Sequence, residues 1–215
     1  MHERQQPPIK PLNATQADYL DALARGTQTV VLGPAGTGKT WIAATYAADL
    51  YRERRIRKII LTRPNVPGGR GLGFLPGTLE EKFGPWAAPL IDAIKERIGA
   101  AAYEIALKNG DIEMVPFEVM RGRSWKDCFV LLDEAQNATP HEMKLFLTRI
   151  GEECRVVING DVSQCDLREA SGLGTVIHLI KSNMMPVPVI EFTQADIVRS
   201  GICAMWVRAF HDAQI

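Results

Sequence analysis

The sequence predicts an α/β fold in which a parallel sheet carries helices on both faces. Short apolar strands alternate with helical patterns along the chain, and this alternation is typical of strand–helix–strand units. Residues 59–61 and 128–132 are continuous apolar runs, as expected of strands that are buried on both faces. We predict a loose, proline-containing arm over 1–11 and a single domain over 12–215, because 215 residues suffice for one large domain.

Caps and chain breakers set the boundaries of the predicted elements. Asn13 offers a cap for a first helix that Gly26 ends, and Thr139 with Pro140 begins a later one. The second helix ends in a basic cluster that suits a helix C-terminus, namely Arg52, Arg54, Arg55, Arg57 and Lys58. The predicted order is helix 13–25, strand 28–33, helix 39–53, strand 59–61, loop 64–76, helices 85–98 and 100–108, weak strand 112–115, strand 128–133, helix 140–150, strand 155–159, helix 172–182, strand 187–192 and helix 202–212.

One stretch has the spacing of a phosphate-binding loop. An apolar run leads into G-x-x-x-x-G-K-T, and a helical pattern follows at once, which is the strand–loop–helix context that a P-loop requires. Its backbone amides can form a nest for phosphate oxygens at the positive end of the helix. We expect Lys39 to reach the β- and γ-phosphates of ATP and Thr40 to bind Mg²⁺. The alternative is a chance glycine-rich turn. The loop residues are Gly33, Pro34, Ala35, Gly36, Thr37, Gly38, Lys39 and Thr40.

Two carboxylates follow a second apolar strand. Asp133 and Glu134 come directly after residues 129–132, and α/β sheets bind ligands at the carboxyl ends of their strands. We therefore expect Asp133 to hold Mg²⁺ through water and Glu134 to polarise an attacking water. Taken alone, such a pair is more often a solvated strand end.

The next strand leads into a polar segment, Gly160-Asp161-Val162-Ser163-Gln164. In a parallel sheet this segment lies at the same edge as the two carboxylates. There the Gln164 amide can hydrogen-bond a γ-phosphate or the attacking water, and so act as a sensor of intact ATP. The alternative is an ordinary turn, for which Gly-Asp is common.

These residues resemble two related groups of proteins. Segments 133–136 and 160–164 resemble motifs II and III of superfamily 1 helicases, and Leu12-Asn13 with Gln16 resembles their adenine-reading motif. The chain is more similar still to the PhoH family of ATP-binding proteins, over about residues 12–200. The sequence departs from that family over 66–71, where a carboxylate-containing run is expected and Arg70 stands instead. The resembling segments are 33–40, 62–64, 72–77, 81–82, 120–123, 132–137, 146–151 and 196–199.

The resemblance implies a RecA-like core that binds and hydrolyses ATP with Mg²⁺, and it implies that Gln16 contacts adenine. Some similar proteins carry an RNase domain and act on RNA, but we expect 215 residues to leave no room for it or for a second RecA-like domain. An arginine finger, worth roughly 10³–10⁵ in rate, would then come from a neighbouring subunit. Arg199 is the candidate, and its alternative is a surface arginine in a local salt bridge. We expect a closed head-to-tail ring, a hexamer like those of similar proteins.

The charge balance predicts no global preference for nucleic acid or acidic membranes, because the chain contains 25 basic and 25 acidic residues. RNA or single-stranded nucleic acid nevertheless has candidate contacts along a pore, although solvation or pairing within the subunit is the alternative for each. Trp86 and Trp125 can stack on bases, but a core or interface role suits large aromatic side chains better. The basic candidates are Arg63, Arg70, Arg121, Arg123 and Lys126.

The predicted cellular location depends on the lack of targeting and membrane-spanning segments in the sequence. The N-terminus lacks the apolar core of a signal peptide, and no apolar run approaches the length of a membrane span. The four cysteines show no metal-binding or C-x-x-C spacing, which favours free thiols in a reducing compartment. We therefore expect a cytoplasmic protein without membrane contact.

Two other classes of function use the same loop. One is a nucleotide-gated binding or regulatory module with negligible turnover. The other is a small-molecule kinase, which would need an acceptor pocket and a lid arginine. Asp133, Glu134 and Gln164 argue against the kinase because they suit the activation of water.

Overall fold

The computed structural model describes residues 6–64, 79–167 and 170–198, together with 201–202, 205–206 and 209. Within these ranges six parallel strands form one sheet in the order β3-β2-β4-β5-β1-β6. The strands are β1 (Gln28–Leu32), β2 (Lys58–Thr62), β3 (Ile112–Met114), β4 (Cys128–Leu132), β5 (Arg155–Gly160) and β6 (Val189–Glu191). The main helices are α1 (Ala14–Arg25), α2 (Lys39–Arg52), α3 (Leu79–Ile98), α4 (Ala100–Asn109), α5 (Pro140–Leu147) and α6 (Gly172–Ser182).

Alternate residues of each strand face opposite helical layers. In β4, Phe129 and Leu131 join a core with α1 to α4, whereas Val130 and Leu132 join a second core with α5 and α6. The sheet is therefore covered on both faces, as predicted. The glycine loop connects β1 to α2, and β5 separates β1 from β4. The fold is that of a RecA-like P-loop protein.

The predicted helix over 140–150 is too long at its C-terminal end. Thr139 caps α5 in a reciprocal capping box with Glu142, as expected, but the helix ends at Leu147. The chain then pairs with Trp125, which donates to the Arg149 carbonyl at 3.0 Å and accepts from the Gly151 amide at 3.0 Å. This strand-like pairing competes with further helical hydrogen bonds, and it depends on a segment more than twenty residues away.

Other boundaries also differ from the prediction. α3 begins at Leu79 instead of 85, because the helix passes through Pro85 despite the hydrogen bond that a proline removes. β6 covers only residues 189–191. The described residues between 201 and 209 are helical, as expected of the last predicted helix. Most of the predicted loop over 64–76 lies outside the described residues, and Arg70 with it.

Several candidate nucleic-acid contacts have local partners. Glu113 pairs with Lys58 and, at 2.6 Å, with Arg123. Burial raises the pKa of Glu113, but hydrogen bonds and charge from these two cations outweigh burial and leave it below its usual value. Lys126 lies 3.9 Å from Glu152. The alternative of pairing within the subunit therefore holds for Arg123 and Lys126.

Trp125 belongs to the core, as its size suggested. It is buried and packs against Phe146 with ring centroids 6.0 Å apart. The side chain of Trp86 lies outside the described part of the chain. Cys128 and Cys154 are buried free thiols with their sulfur atoms 3.3 Å apart.

The predicted N-terminal arm is described from residue 6 onwards and has no regular secondary structure up to α1. Arg97 donates to the Pro7 carbonyl at 2.7 Å, and the Gln6 amide donates to the Glu96 carbonyl at 3.5 Å. Among the described residues, none of the helices combines the length and apolar character that crossing a bilayer requires.

Candidate functional site

The parallel sheet brings the predicted site residues to one edge. Gly33, Asp133 and Asp161 directly follow β1, β4 and β5, and the carboxyl ends of parallel strands share an edge. A cavity of about 370 Å³ opens there. Its walls include Ala35, Gly36, Gly38, Lys39, Thr40, Trp41, Arg63, Pro89, Asp133, Glu134, Gln136, Gly160, Asp161 and Gln164.

The glycine loop has the backbone of an anion nest. Gly33, Gly36 and Gly38 have φ angles of 132°, 86° and 89°, which only glycine adopts readily. A Cβ on Gly33 would also lie 2.4 Å from the Phe192 carbonyl oxygen, so no larger residue fits beneath this strand end. Gly38 caps α2 without any side-chain hydrogen bond. The first amides of α2 are therefore left without a capping side chain and point towards the cavity end of the helix.

Lys39 lies inside the curve of this loop. Its ammonium group donates to the carbonyl oxygens of Gly33 at 2.6 Å and Pro34 at 2.8 Å. Burial lowers the pKa of Lys39, while the charges of Asp161 and Asp133 and, less strongly, Glu134 act in the opposite direction. The ammonium group therefore experiences the negative charge of nearby carboxylates, while its N–H groups donate to backbone carbonyl oxygens, which are weak acceptors. Phosphate oxygens are stronger acceptors for those donors.

Thr40 and Asp133 join the P-loop to the acidic strand end. The Thr40 hydroxyl donates to Asp133 Oδ1 at 3.0 Å. Burial raises the pKa of Asp133, and so does the negative charge of Glu134. The Thr40 hydrogen bond and the charges of Arg63 and Lys39 lower this pKa, but burial outweighs them. A hydroxyl and a carboxylate at this distance fit Mg²⁺, which proteins bind through one or two oxygen ligands with substrate phosphates and water completing the shell. The residues present therefore suit the predicted metal.

Glu134 has a strained backbone. Its φ and ψ are 54° and 39°, in the left-handed region that residues other than glycine rarely occupy. Such a conformation costs on the order of 1–3 kcal/mol and concentrates at functional sites. The turn places the Glu134 carboxylate within 2.6 Å of the Gln136 side-chain amide, which donates to it.

Gln136 and Asp161 also belong to the site, although no role was predicted for them from the sequence. Gln136 is buried and bridges two strand ends, because its Nε2 binds Glu134 and its Oε1 accepts from the Asp161 amide at 3.0 Å. Asp161 is also buried, and its Oδ1 accepts from the Ser163 amide and hydroxyl. The sequence offered two indications of these residues. Gln136 is a glutamine two residues after the candidate base, and Asp161 is an acid that closely follows a predicted strand.

The remaining predicted residues fall in different places. Gln164 is exposed and lines the cavity, as the sensor prediction requires. Gln16 is buried beside the P-loop instead, where Nε2 donates to the Thr37 carbonyl at 2.9 Å and Oε1 accepts from the Leu12 amide at 2.8 Å. It is not part of the cavity wall, and its contact with adenine stays a prediction. Arg199 lies outside the described residues.

Three further wall residues were not singled out for this site. Trp41, the third residue of α2, is 43% exposed and lines the cavity together with Arg63 and Pro89. The sequence indicated Trp41 only by its position, as a large aromatic residue directly after the lysine and threonine of the P-loop. Arg63 was considered only as a nucleic-acid contact, whereas its charge acts on Asp133.

Two solved structures are similar to this chain at low identity. The Pif1 helicase from Candida albicans has a TM-score of 0.42 and 17% identity, covering 86% of this chain and 40% of that one. The flagellar accessory protein FlaH from Methanocaldococcus jannaschii has a TM-score of 0.37 and 16% identity, covering 77% of this chain and 73% of that one.

Curated relatives share far more of the sequence. A PhoH-like protein of Bacillus subtilis (strain 168) is 44% identical over 197 residues, which are 91% of this chain and 61% of that protein. Protein PhoH of Escherichia coli (strain K12) is 40% identical over 207 residues, 94% of this chain and 58% of that protein. The chain thus spans about 60% of the length of these relatives. The family described as PhoH-like protein matches residues 8–211. With that match over almost its whole length, the chain belongs to the PhoH family.

Proposed function

We propose that this chain binds ATP with Mg²⁺ and hydrolyses it. The observation that carries the proposal is the 3.0 Å hydrogen bond between Thr40 and Asp133, which joins a glycine-rich phosphate nest to a pair of carboxylates in one cavity. Steady-state release of phosphate from Mg²⁺-ATP tests it directly. A rate indistinguishable from that without protein contradicts hydrolysis.

The chain's own residues divide the work of hydrolysis. The loop amides and Lys39 bind the β- and γ-phosphates, for which Lys39 exchanges its carbonyl partners for phosphate oxygens. Thr40 and Asp133 hold Mg²⁺, which neutralises phosphate charge when bound. Glu134 accepts a hydrogen bond from the attacking water and polarises it. Gln164 hydrogen-bonds the γ-phosphate from the neighbouring strand end.

Gln136 positions Glu134 in this scheme. Gln136→Met keeps the length and volume of the side chain but removes the donor to Glu134 and the acceptor for the Asp161 amide. We expect kcat to fall by about 10- to 100-fold because the candidate base loses its orientation, while KM changes less than about threefold. Melting temperature and kinetics of the purified variant give the readout. A fall in kcat/KM that comes only through KM, or only through unfolding, contradicts the positioning role.

We propose that the subunits form a closed ring, with six as the expected number. In this arrangement a neighbouring subunit contributes the arginine that completes the ATP site. Val198 donates to the Gly36 carbonyl of its own chain at 3.0 Å, so an arginine finger within the same subunit is the alternative to be tested. Arg199→Ala should keep ATP binding and lower hydrolysis roughly 10³-fold if this arginine stabilises the transition state.

Mixing variants distinguishes a finger in the neighbouring subunit from one in the same chain. Arg199→Ala subunits keep an intact P-loop, and Lys39→Ala subunits keep Arg199. Mixed rings should regain activity if Arg199 acts across the interface, and native mass measurement reports the number of subunits. Full activity of Arg199→Ala alone contradicts the finger, and a monomeric mass with full turnover contradicts the ring.

Coupling to RNA or single-stranded nucleic acid belongs to the same proposal. It is supported by Arg121, which is exposed on the described surface. The phosphate-release assay with RNA and DNA added tests it, and stimulation by neither contradicts it. A cytoplasmic location fits the buried free thiols of Cys128 and Cys154, since reducing compartments keep such pairs unbridged.

A further inference from the structure

A larger cavity, of about 710 Å³, lies away from the candidate ATP site. It opens between the C-terminal end of α2, the connection to β2, and the junction of α3 with α4. Lys39 begins α2 and Arg52 ends it, so the two cavities are separated by 14 helical residues, or roughly 20 Å. One small ligand therefore cannot occupy both.

Most of the charged residues in the wall of this second cavity are arginines. Arg52, Arg54, Arg57 and Arg97 contribute four guanidinium groups, and Glu96 is the acidic residue among the lining groups. These arginines come from two segments that are distant in sequence. The basic cluster after α2, which the sequence explained only as a helix C-terminus, is thus shaped by the fold into a concave surface.

Only part of this positive charge is neutralised. Arg97 binds both oxygens of Asp49 at 2.6 Å, and Arg52 binds the same carboxylate at 3.0 Å. Arg52 Nη1 is buried and has no hydrogen-bond partner among the described residues. Arg54 and Arg57 form no ion pair with any residue that the structure describes. The guanidinium groups of Arg54 and Arg57 are therefore the ones that remain available to an anion.

The N-terminus of α4 adds positive potential to the same space. Gly99 caps the helix with φ 89° and no side-chain hydrogen bond, and the first turn contains no acidic residue. Gly99 and Ala102 both line the cavity. A Cβ built on Gly99 would meet no atom within 4 Å, so the space in front of this helix end is open. Helix amides of this kind favour negative ligands, although the arginines carry the argument.

We propose that this cavity binds a small molecule bearing at least two linked phosphate groups. Guanidinium groups bind phosphate through paired hydrogen bonds, and two arginines without an ion pair in the described part of the chain, Arg54 and Arg57, suit a diphosphate better than a single anion. The cavity also exceeds the room that one phosphate needs. The diphosphate can be free pyrophosphate or the diphosphate of a nucleotide. The proposal does not depend on ATP hydrolysis at the first site.

Calorimetric titration of pyrophosphate into Lys39→Ala tests the proposal without a contribution from the P-loop. We expect one pyrophosphate bound per chain. The double variant Arg54→Asn with Arg57→Gln, in the same background, should weaken binding at least tenfold. Asn is chosen because Arg54 has φ 57°, which Asn tolerates. Arg55→Gln is the matched control, since Arg55 lies between the two tested arginines in sequence but does not line this cavity, and it contacts Glu53 at 3.6 Å.

A second titration uses the wild-type chain, so that the result does not rest on one variant folding. Two sites are expected there. Lys39→Ala should abolish binding at the P-loop, and the double variant Arg54→Asn with Arg57→Gln should weaken binding at the other site at least tenfold. ADP in place of pyrophosphate distinguishes a nucleotide from the free anion, because added affinity indicates contacts to the nucleoside. The proposal is overturned if the arginine pair changes binding no more than Arg55→Gln does. It is equally overturned if single-stranded RNA binds through these arginines while pyrophosphate does not.

Discussion

Lys39→Ala is expected to weaken ATP binding by at least about a hundredfold. The ammonium group lies inside the glycine loop and holds its donors against two carbonyl oxygens, from which phosphate oxygens can take them over. Hydrogen bonds between charged groups contribute about 1.5–3 kcal/mol each, and about 1.4 kcal/mol corresponds to a tenfold change in affinity. Loss of contacts to two phosphates therefore predicts at least two factors of ten. Titration calorimetry with Mg²⁺-ATP measures the change.

Lys108→Ala is the matched control for this variant. Lys108 is an exposed lysine in the last turn of α4 and lines neither the cavity at the P-loop nor the arginine-lined cavity. The Lys108→Ala variant should bind ATP with the affinity of the parent chain. This result would exclude the loss of one positive charge as the sole cause of weaker binding in Lys39→Ala. If Lys39→Ala binds ATP as tightly as this control does, the loop does not bind phosphate and the proposed function is wrong.

Glu134→Gln is expected to leave ATP binding intact and to lower hydrolysis by about 10²- to 10⁴-fold, the usual contribution of a general base. The substitution keeps the length of the side chain and leaves an oxygen for the Gln136 donor, so the left-handed turn at this position is preserved. The variant loses only the negative charge that polarises water. Single-turnover phosphate release together with a nucleotide titration separates the two effects.

The control for this prediction is Glu152→Gln, which removes a carboxylate that is 87% exposed and pairs only distantly with Lys126. It should hydrolyse ATP at the parent rate. If Glu134→Gln also turns over at the parent rate, Glu134 is not the base. A rate that is negligible in the parent and in both variants, with tight ATP binding, favours the nucleotide-gated regulatory module instead.

Much of the fold was accessible from local sequence patterns. The strand before Gly33, the glycine loop and the helix after it are contiguous in the chain, so their order and chemistry could be predicted together. The cap at Thr139 is likewise a signal of four residues. The end of α5 was missed because Trp125 pairs with residues 149–151, and no local pattern encodes that pairing.

The candidate site shows the same division. Lys39, Thr40 and Glu134 could be named from motif spacing, since each motif is complete within a few residues. Gln136 and Asp161 could not be assigned, because their roles depend on a hydrogen bond between neighbouring strand ends. For Gln16 the adenine contact stays a prediction, and the hydrogen bond from its amide to the P-loop backbone is visible only in the folded chain.

The sequence by itself determined that this protein has a phosphate loop, an acidic strand end and alternating strands and helices, because these features depend on near neighbours in the chain. The tertiary structure decided that β5 lies between β1 and β4, which lets Gln136 connect Glu134 with Asp161. It also decided that Arg52, Arg54, Arg57 and Arg97 line one cavity. Such arrangements arise from burial of apolar faces across the whole sheet, and that burial is non-directional and acts between residues distant in sequence.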